Sequence, residues 1–166
     1  MLKTSYILIV ILLAFPFDGI SQAFPDRVVG TWTGVLKIYK GGTIRDSVAI
    51  RVTVKKDPSG NAWPWKTEYL SEKLPMTKDY TLRMFDANTK TYHLDEGDGV
   101  VLIEHLFENK MYSVFETSDI LLTSSYELRN DQLIFEVTSG KKLTAAKDVV
   151  NYSVTNLQRA VLKRIP

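Results

Sequence analysis

Glu104 and His105 are the residues of this chain best suited to act on a small molecule, a carboxylate and an imidazole side by side in the apolar run Val100 to Phe107. Neighbours along a strand point to opposite faces, so only one of the pair can enter a cavity. A two-residue Asn109-Lys110 loop sets Glu104 inward, opposite Phe115. A three-residue loop instead turns His105 inward, with Val101, Ile103 and Phe107. The second arrangement buries more apolar surface and is the one favoured, with His105 either hydrogen-bonding a ligand or satisfied by a neighbouring strand or water.

Aromatic residues supply a second set. In the run Trp63-Pro64-Trp65-Lys66-Thr67-Glu68-Tyr69-Leu70, Trp63, Trp65, Thr67 and Tyr69 alternate against Lys66 and Glu68. Facing inward, the aromatic side chains fill a core or meet an apolar ligand; facing outward, they stack on sugars. Core packing is the default for a sheet that closes on bulky residues. Lys66, Glu68, Lys78 and Asp79 form a cross-strand charge cluster at most, of the exposed kind usually worth under about 1 kcal/mol. Phe115, Tyr126 and Phe135 join Trp63, Trp65, Tyr69, Glu104 and His105 as pocket candidates.

Other constellations fall short of a site. His93 and His105 do not meet in the expected hairpin, and a chain without cysteine has no thiolate for zinc. Asp95, Glu96 and Asp98 crowd one turn, but calcium takes six or more oxygen ligands, so a solvated turn is the better reading. Ser124-Ser125 lies outside any Gly-x-Ser-x-Gly elbow, and no phosphate loop or dinucleotide fingerprint occurs. The expectation is a protein without catalytic activity, cofactor or metal.

These residues need strands to place them. The chain has 166 residues, 45% hydrophobic and 24% charged, with a formal charge of +2, which suits one globular domain and no nucleic-acid partner. Lys3, the apolar run Tyr6 to Phe17 and Ser21-Gln22-Ala23 read as a signal peptide cleaved after Gln22 or Ala23. An apolar run of roughly a dozen residues, broken at Pro16, is shorter than the ~20 that span a bilayer as a helix. The expected organisation is a signal peptide over 1–23 and one domain over 24–166. The mature protein is expected to be secreted or periplasmic, monomeric and off the membrane.

Alternating apolar patterns predict strands over Val28–Tyr39, Ile44–Lys55, Trp63–Leu70, Tyr80–Phe85, Thr89–Leu94, Val100–Phe107, Met111–Glu116, Ile120–Leu128, Leu133–Thr138 and Tyr152–Lys163. A turn or two of helix is expected around Leu143–Asp148, and Phe24-Pro25 as a plug across one end. Shifting the Gly41-Gly42 hairpin by one residue pairs Trp32 with Val52 and Leu36 with Val48, keeping one face apolar. The Asn130-Asp131 turn aligns Leu128 with Leu133 and Tyr126 with Phe135. Ten evenly spaced strands make an all-β, antiparallel up-and-down barrel the economical fold, because closure removes the edges.

The opening Val28-Val29-Gly30-Thr31-Trp32-Thr33-Gly34 resembles the lipocalin and calycin families, whose first strand begins with Gly-x-Trp. That resemblance implies a cationic side chain from the last strand packed over Trp32. Arg159 is the first choice for it and Arg164 the second. It also implies a small, largely apolar ligand bound in the barrel. A filled barrel acting through its outer surface on a partner or glycan is the alternative. The Arg-x-Tyr clamp of fatty-acid-binding relatives is missing, since Val161 follows Arg159 by two, and no histidine after His105 supplies a nitrobindin-type haem ligand.

Overall fold

The computed structural model describes residues 22–144 and 147–166, so most of the expected signal peptide lies outside the described residues. A short helix, α1 (Phe24–Arg27), precedes ten strands: β1 (Gly30–Lys40), β2 (Thr43–Val54), β3 (Ala62–Tyr69), β4 (Met76–Asp86), β5 (Thr91–Asp95), β6 (Val101–Phe107), β7 (Lys110–Thr117), β8 (Ile120–Arg129), β9 (Gln132–Lys142) and β10 (Tyr152–Ile165). Each strand pairs antiparallel with the next, and β10 returns to β1, closing the barrel. The expected ten-stranded up-and-down architecture is the observed one.

Two hairpins set the register as the apolar faces require. Gly41 and Gly42, both at positive φ (56° and 79°), turn β1 into β2, and a bulge at Ile38/Tyr39 supplies the one-residue shift. Trp32 therefore faces Val52, and Leu36 faces Val48. Asn130 and Asp131 adopt φ of 48° and 58°, the left-handed pair of a two-residue hairpin, and pair Leu128 with Leu133 and Tyr126 with Phe135. Between β9 and β10, the described residues 143–144 and 147–151 carry a turn and no helix. Leu143 N–H donates to the Asn151 carbonyl at 2.8 Å.

One end of the barrel is plugged. α1 crosses it and buries Phe24 and Pro25. Asp26 accepts hydrogen bonds from Trp63 Nε1 and Lys56 Nζ, both at 2.8 Å. Burial pushes the Asp26 carboxyl up, but the bonds from Lys56 and Trp63 outweigh it and hold the group below its ordinary value. Trp32 is fully buried beneath α1, and its Nε1 donates to the Val28 carbonyl at 2.8 Å.

The cation over that indole is Arg164, not Arg159. The Arg164 guanidinium stands 4.2 Å from the Trp32 ring centroid and donates to the carbonyls of Val29 and Arg27, the latter at 2.8 Å. β10 runs past Lys163, and Trp32 lies directly opposite Arg164 in the register. Arg159 is one residue out of step with the inward Gln158, Ala160 and Leu162, so it turns outward to Glu136 at 3.6 Å. Gly30, at φ 134°, leaves room for this arch: a Cβ there would come within 2.6 Å of Arg164 Nη1. Gly34 lets β10 approach, since its Cβ would meet the Val161 carbonyl oxygen at 2.5 Å.

Candidate functional site

Above the packed core around Trp32, Trp63, Leu82, Tyr92 and Leu162, the interior opens into a cavity of about 460 Å³. Every strand contributes to its lining, β7 through Phe115 and β10 through Gln158. Strand alternation builds the wall. Leu36 and Ile38 project from β1, Thr67 and Tyr69 from β3, Leu102 and Glu104 from β6, and Leu122, Ser124 and Tyr126 from β8. At the mouth the lining becomes polar, with Asp46, Ser71, Lys78 and Glu96.

Glu104, and not His105, faces this cavity. The β6–β7 turn is the two-residue Glu108-Asn109, with Glu108 at φ 52°, which pairs Phe107 with Lys110 and His105 with Tyr112. This register places Leu102, Glu104 and Leu106 inward and leaves Val101, Ile103, His105 and Phe107 outside. Maximising buried apolar surface gave the opposite orientation because β6 is apolar on both faces. Its outer residues Ile103 and Phe107 remain 54% and 63% exposed. The His105 ring has Nδ1 3.4 Å from Thr91 Oγ1. His93 pairs with Ile103 and stacks on Phe85 at 4.1 Å, also outside the barrel.

Glu104 is 2% exposed, and its Oε2 has no hydrogen-bond partner. Burial alone pushes its carboxyl up to about 8. Among the described residues two further buried atoms lack partners within hydrogen-bond distance, Thr67 Oγ1 and Trp65 Nε1. Buried polar groups are nearly always satisfied in folded proteins, so a carboxyl oxygen left open on the cavity wall marks a place for a ligand or water. The Tyr126 hydroxyl lies close to Thr67 and Trp65, and burial holds that phenol well above its ordinary value.

The other pocket candidates divide into two groups. Tyr69, Phe115, Tyr126 and Phe135 line the cavity, and Tyr126 stacks on Phe135 at 4.7 Å. Trp65 packs against Tyr126 at 4.8 Å without lining the cavity. Trp63 belongs to the plugged end, bonded to Asp26 and edge-on to Tyr92 at 6.2 Å. Sequence reasoning missed Lys78 as a mouth residue because β4 begins at Met76, not Tyr80. Strand parity then sends Lys78 to the cavity side, while Lys66–Asp79 at 3.6 Å and Arg51–Glu68 at 3.5 Å form the outer ion pairs.

A scan against protein-family models and a search of curated proteins find no match. Solved structures do match. The S-type phycobiliprotein lyase CPES from Guillardia theta superposes with a TM-score of 0.60 at 9% identity, over 86% of this chain and 91% of that one. A protein of the DUF3598 family from Nostoc punctiforme gives 0.59 at 14% identity, over 85% of this chain and 49% of the other, so this chain spans about half of that protein. The fold is that of a lipocalin-like, calycin-type barrel.

In this lipocalin-like barrel the cavity is not the largest recess. One of about 760 Å³ lies at the plugged end between the β6–β7 and β8–β9 turns. Several of its polar side chains already have partners: Arg27 with Asn109 at 2.6 Å, and Glu127 with both Arg129 at 2.6 Å and Lys110 at 4.0 Å. The interior cavity, with its open carboxyl, is the better site on chemical grounds. Among the described residues, no group of three or more His, Cys, Asp and Glu side chains is placed to hold a metal ion.

Proposed function

We propose that this protein is an exported binder or carrier of a small, largely apolar molecule held in the barrel cavity, with Glu104 as its polar anchor. The observation that carries the reading is a buried, unpartnered carboxyl on the wall of a cavity of about 460 Å³ whose other walls are mainly aromatic and aliphatic. That volume and that mixture of apolar lining with few polar groups suit a small-molecule site. The rival reading, a filled barrel acting through its outer surface, fits this open interior less well.

One structural neighbour is a lyase, so the scaffold is compatible with an activity as well as with binding. Binding is preferred because Glu104 has neither histidine on its side of the sheet, and a lone carboxyl anchors a ligand more readily than it runs an acid–base cycle. Export rests on Lys3, the apolar Tyr6–Phe17 run and Ser21-Gln22-Ala23. N-terminal sequencing of the natural protein should begin at Ala23 or Phe24.

Native mass spectrometry of protein purified from its source tests the binding reading. A retained small molecule, lost on unfolding, is expected. Protein that carries no such mass and takes up no dodecanol in titration would overturn it.

A further inference from the structure

The polar groups around the cavity are unevenly arranged by depth and by charge. Away from the mouth the wall carries Glu104 with Oε2 open, Thr67 with Oγ1 open, and the hydroxyls of Ser124 and Tyr126. Among the described residues lining the cavity, the one cation is Lys78, at the mouth, where Asp46 and Glu96 also stand. The interior therefore offers oxygen acceptors and an acid, with no positive group to receive an anion.

Three head groups can be compared against that wall. A fatty carboxylate entering head first sets a second acid against Glu104, and two carboxyls sharing a site cannot both ionise. A neutral alcohol answers Glu104 with one hydrogen bond and no charge. An alkylammonium brings three N–H donors and no acceptor, matching the open carboxyl in a cavity whose other deep polar atoms are hydroxyl oxygens, and its charge offsets the isolation of a buried carboxylate. Resting on the reading of the cavity as a ligand site, we infer that its ligand carries a basic nitrogen and enters nitrogen first, against Glu104, with its apolar body toward the mouth.

The proton balance gives this mode a signature. Burial pushes Glu104 up to about 8, so at pH 7 the empty site is mostly protonated. The amine arrives as its ammonium. Forming the ion pair ionises the carboxyl, and its proton passes to the buffer. Among the groups facing the same space, Tyr69, Tyr80 and Tyr126 are phenols raised by burial, as is Tyr92 opposite Glu104 on β5, and all stay protonated near pH 7. Asp46, Lys78 and Glu96 lie at the mouth. A carboxylic acid bound head first does the reverse, taking up a proton or sharing the one Glu104 holds.

Isothermal titration of the purified protein with dodecylamine, dodecanol and dodecanoate, at pH 7 in two buffers of different ionisation enthalpy, tests the assignment. Dodecylamine should bind at least about tenfold tighter than dodecanoate, a difference of about 1.4 kcal/mol, and should release a proton. Glu104→Gln should abolish both the release and the preference, with its circular dichroism spectrum and cooperative urea unfolding showing that the variant is folded. Dodecanoate binding as well as the amine, or amine binding without proton release in the unaltered protein, overturns the inference while dodecanol uptake keeps the cavity reading alive. If none of the three binds, both fall together. The two-buffer result on the unaltered protein decides the matter even if the variant fails to fold.

Discussion

Glu104 should make this protein lose stability toward alkaline pH, and replacing it should remove the loss. In an unfolded chain the carboxyl ionises near 4.5; in the barrel it ionises at about 8. Between these values the folded state holds a proton that the unfolded state has released, so stability falls as pH rises, by about 1.4 kcal/mol per pH unit. The contribution is intact below 4.5, is lost progressively, and levels off above about 8. The ceiling on the penalty is roughly 3 kcal/mol at pH 7 and roughly 4 kcal/mol at pH 8. Glu104→Gln keeps the shape and removes the titration. Urea unfolding followed by the fluorescence of the buried Trp32, Trp63 and Trp65, from pH 4.5 to 8.5, gives the difference between the two proteins. The variant should gain on the unaltered protein steadily with pH, by several kcal/mol, or roughly 10 °C in Tm, at pH 8. Parallel stability curves would refute the claim that this carboxyl is buried without a partner.

Arg164→Ala should lower stability by roughly 2 kcal/mol through loss of the stacking on Trp32 and the bonds to the Arg27 and Val29 carbonyls, whereas Arg159→Ala should cost under about 0.5 kcal/mol; urea midpoints compare them. Gly30→Ala should cost roughly 1–3 kcal/mol, since it forces an L residue to φ 134° and pushes on Arg164, with Tm as the readout. Asp26→Asn should cost about 1 kcal/mol at pH 7. Because the Asp26 carboxyl is held below its ordinary value, its contribution is present above that value and lost as pH falls through the folded one, so the gap between the two proteins should narrow in acid denaturation curves.

The barrel was legible because its two most informative turns are written in residues that tolerate positive φ. Gly41-Gly42 and Asn130-Asp131 left little choice of register once the apolar faces had to align. A turn without such residues leaves the register open in the sequence. Glu108 takes φ 52° without belonging to the usual Gly, Asn or Asp set, so the β6–β7 loop was misplaced by one residue, which exchanged Glu104 and His105. Apolar alternation offered no correction, since β6 carries Leu102 and Leu106 on one face and Val101, Ile103 and Phe107 on the other. The closing arginine failed on strand length alone: with β10 ended at Lys163, Arg164 fell outside the sheet. Aromatic type marked Tyr69, Tyr126 and Phe135 as cavity residues, but could not tell Trp63, drawn to Asp26 in the plug, from a wall residue.

Thr31 lies beside Ile165, so the first and last strands stop together under α1, while Ser118 and Asp119 turn the chain at the opposite rim. A short linker from Pro166 to residue 23, with new ends cut between Ser118 and Asp119, would give a permuted protein whose pairing ring is preserved. A tag or surface tether joined just before α1 or just after Ile165 would likewise hold the molecule by its base and leave the entrance free for solutes.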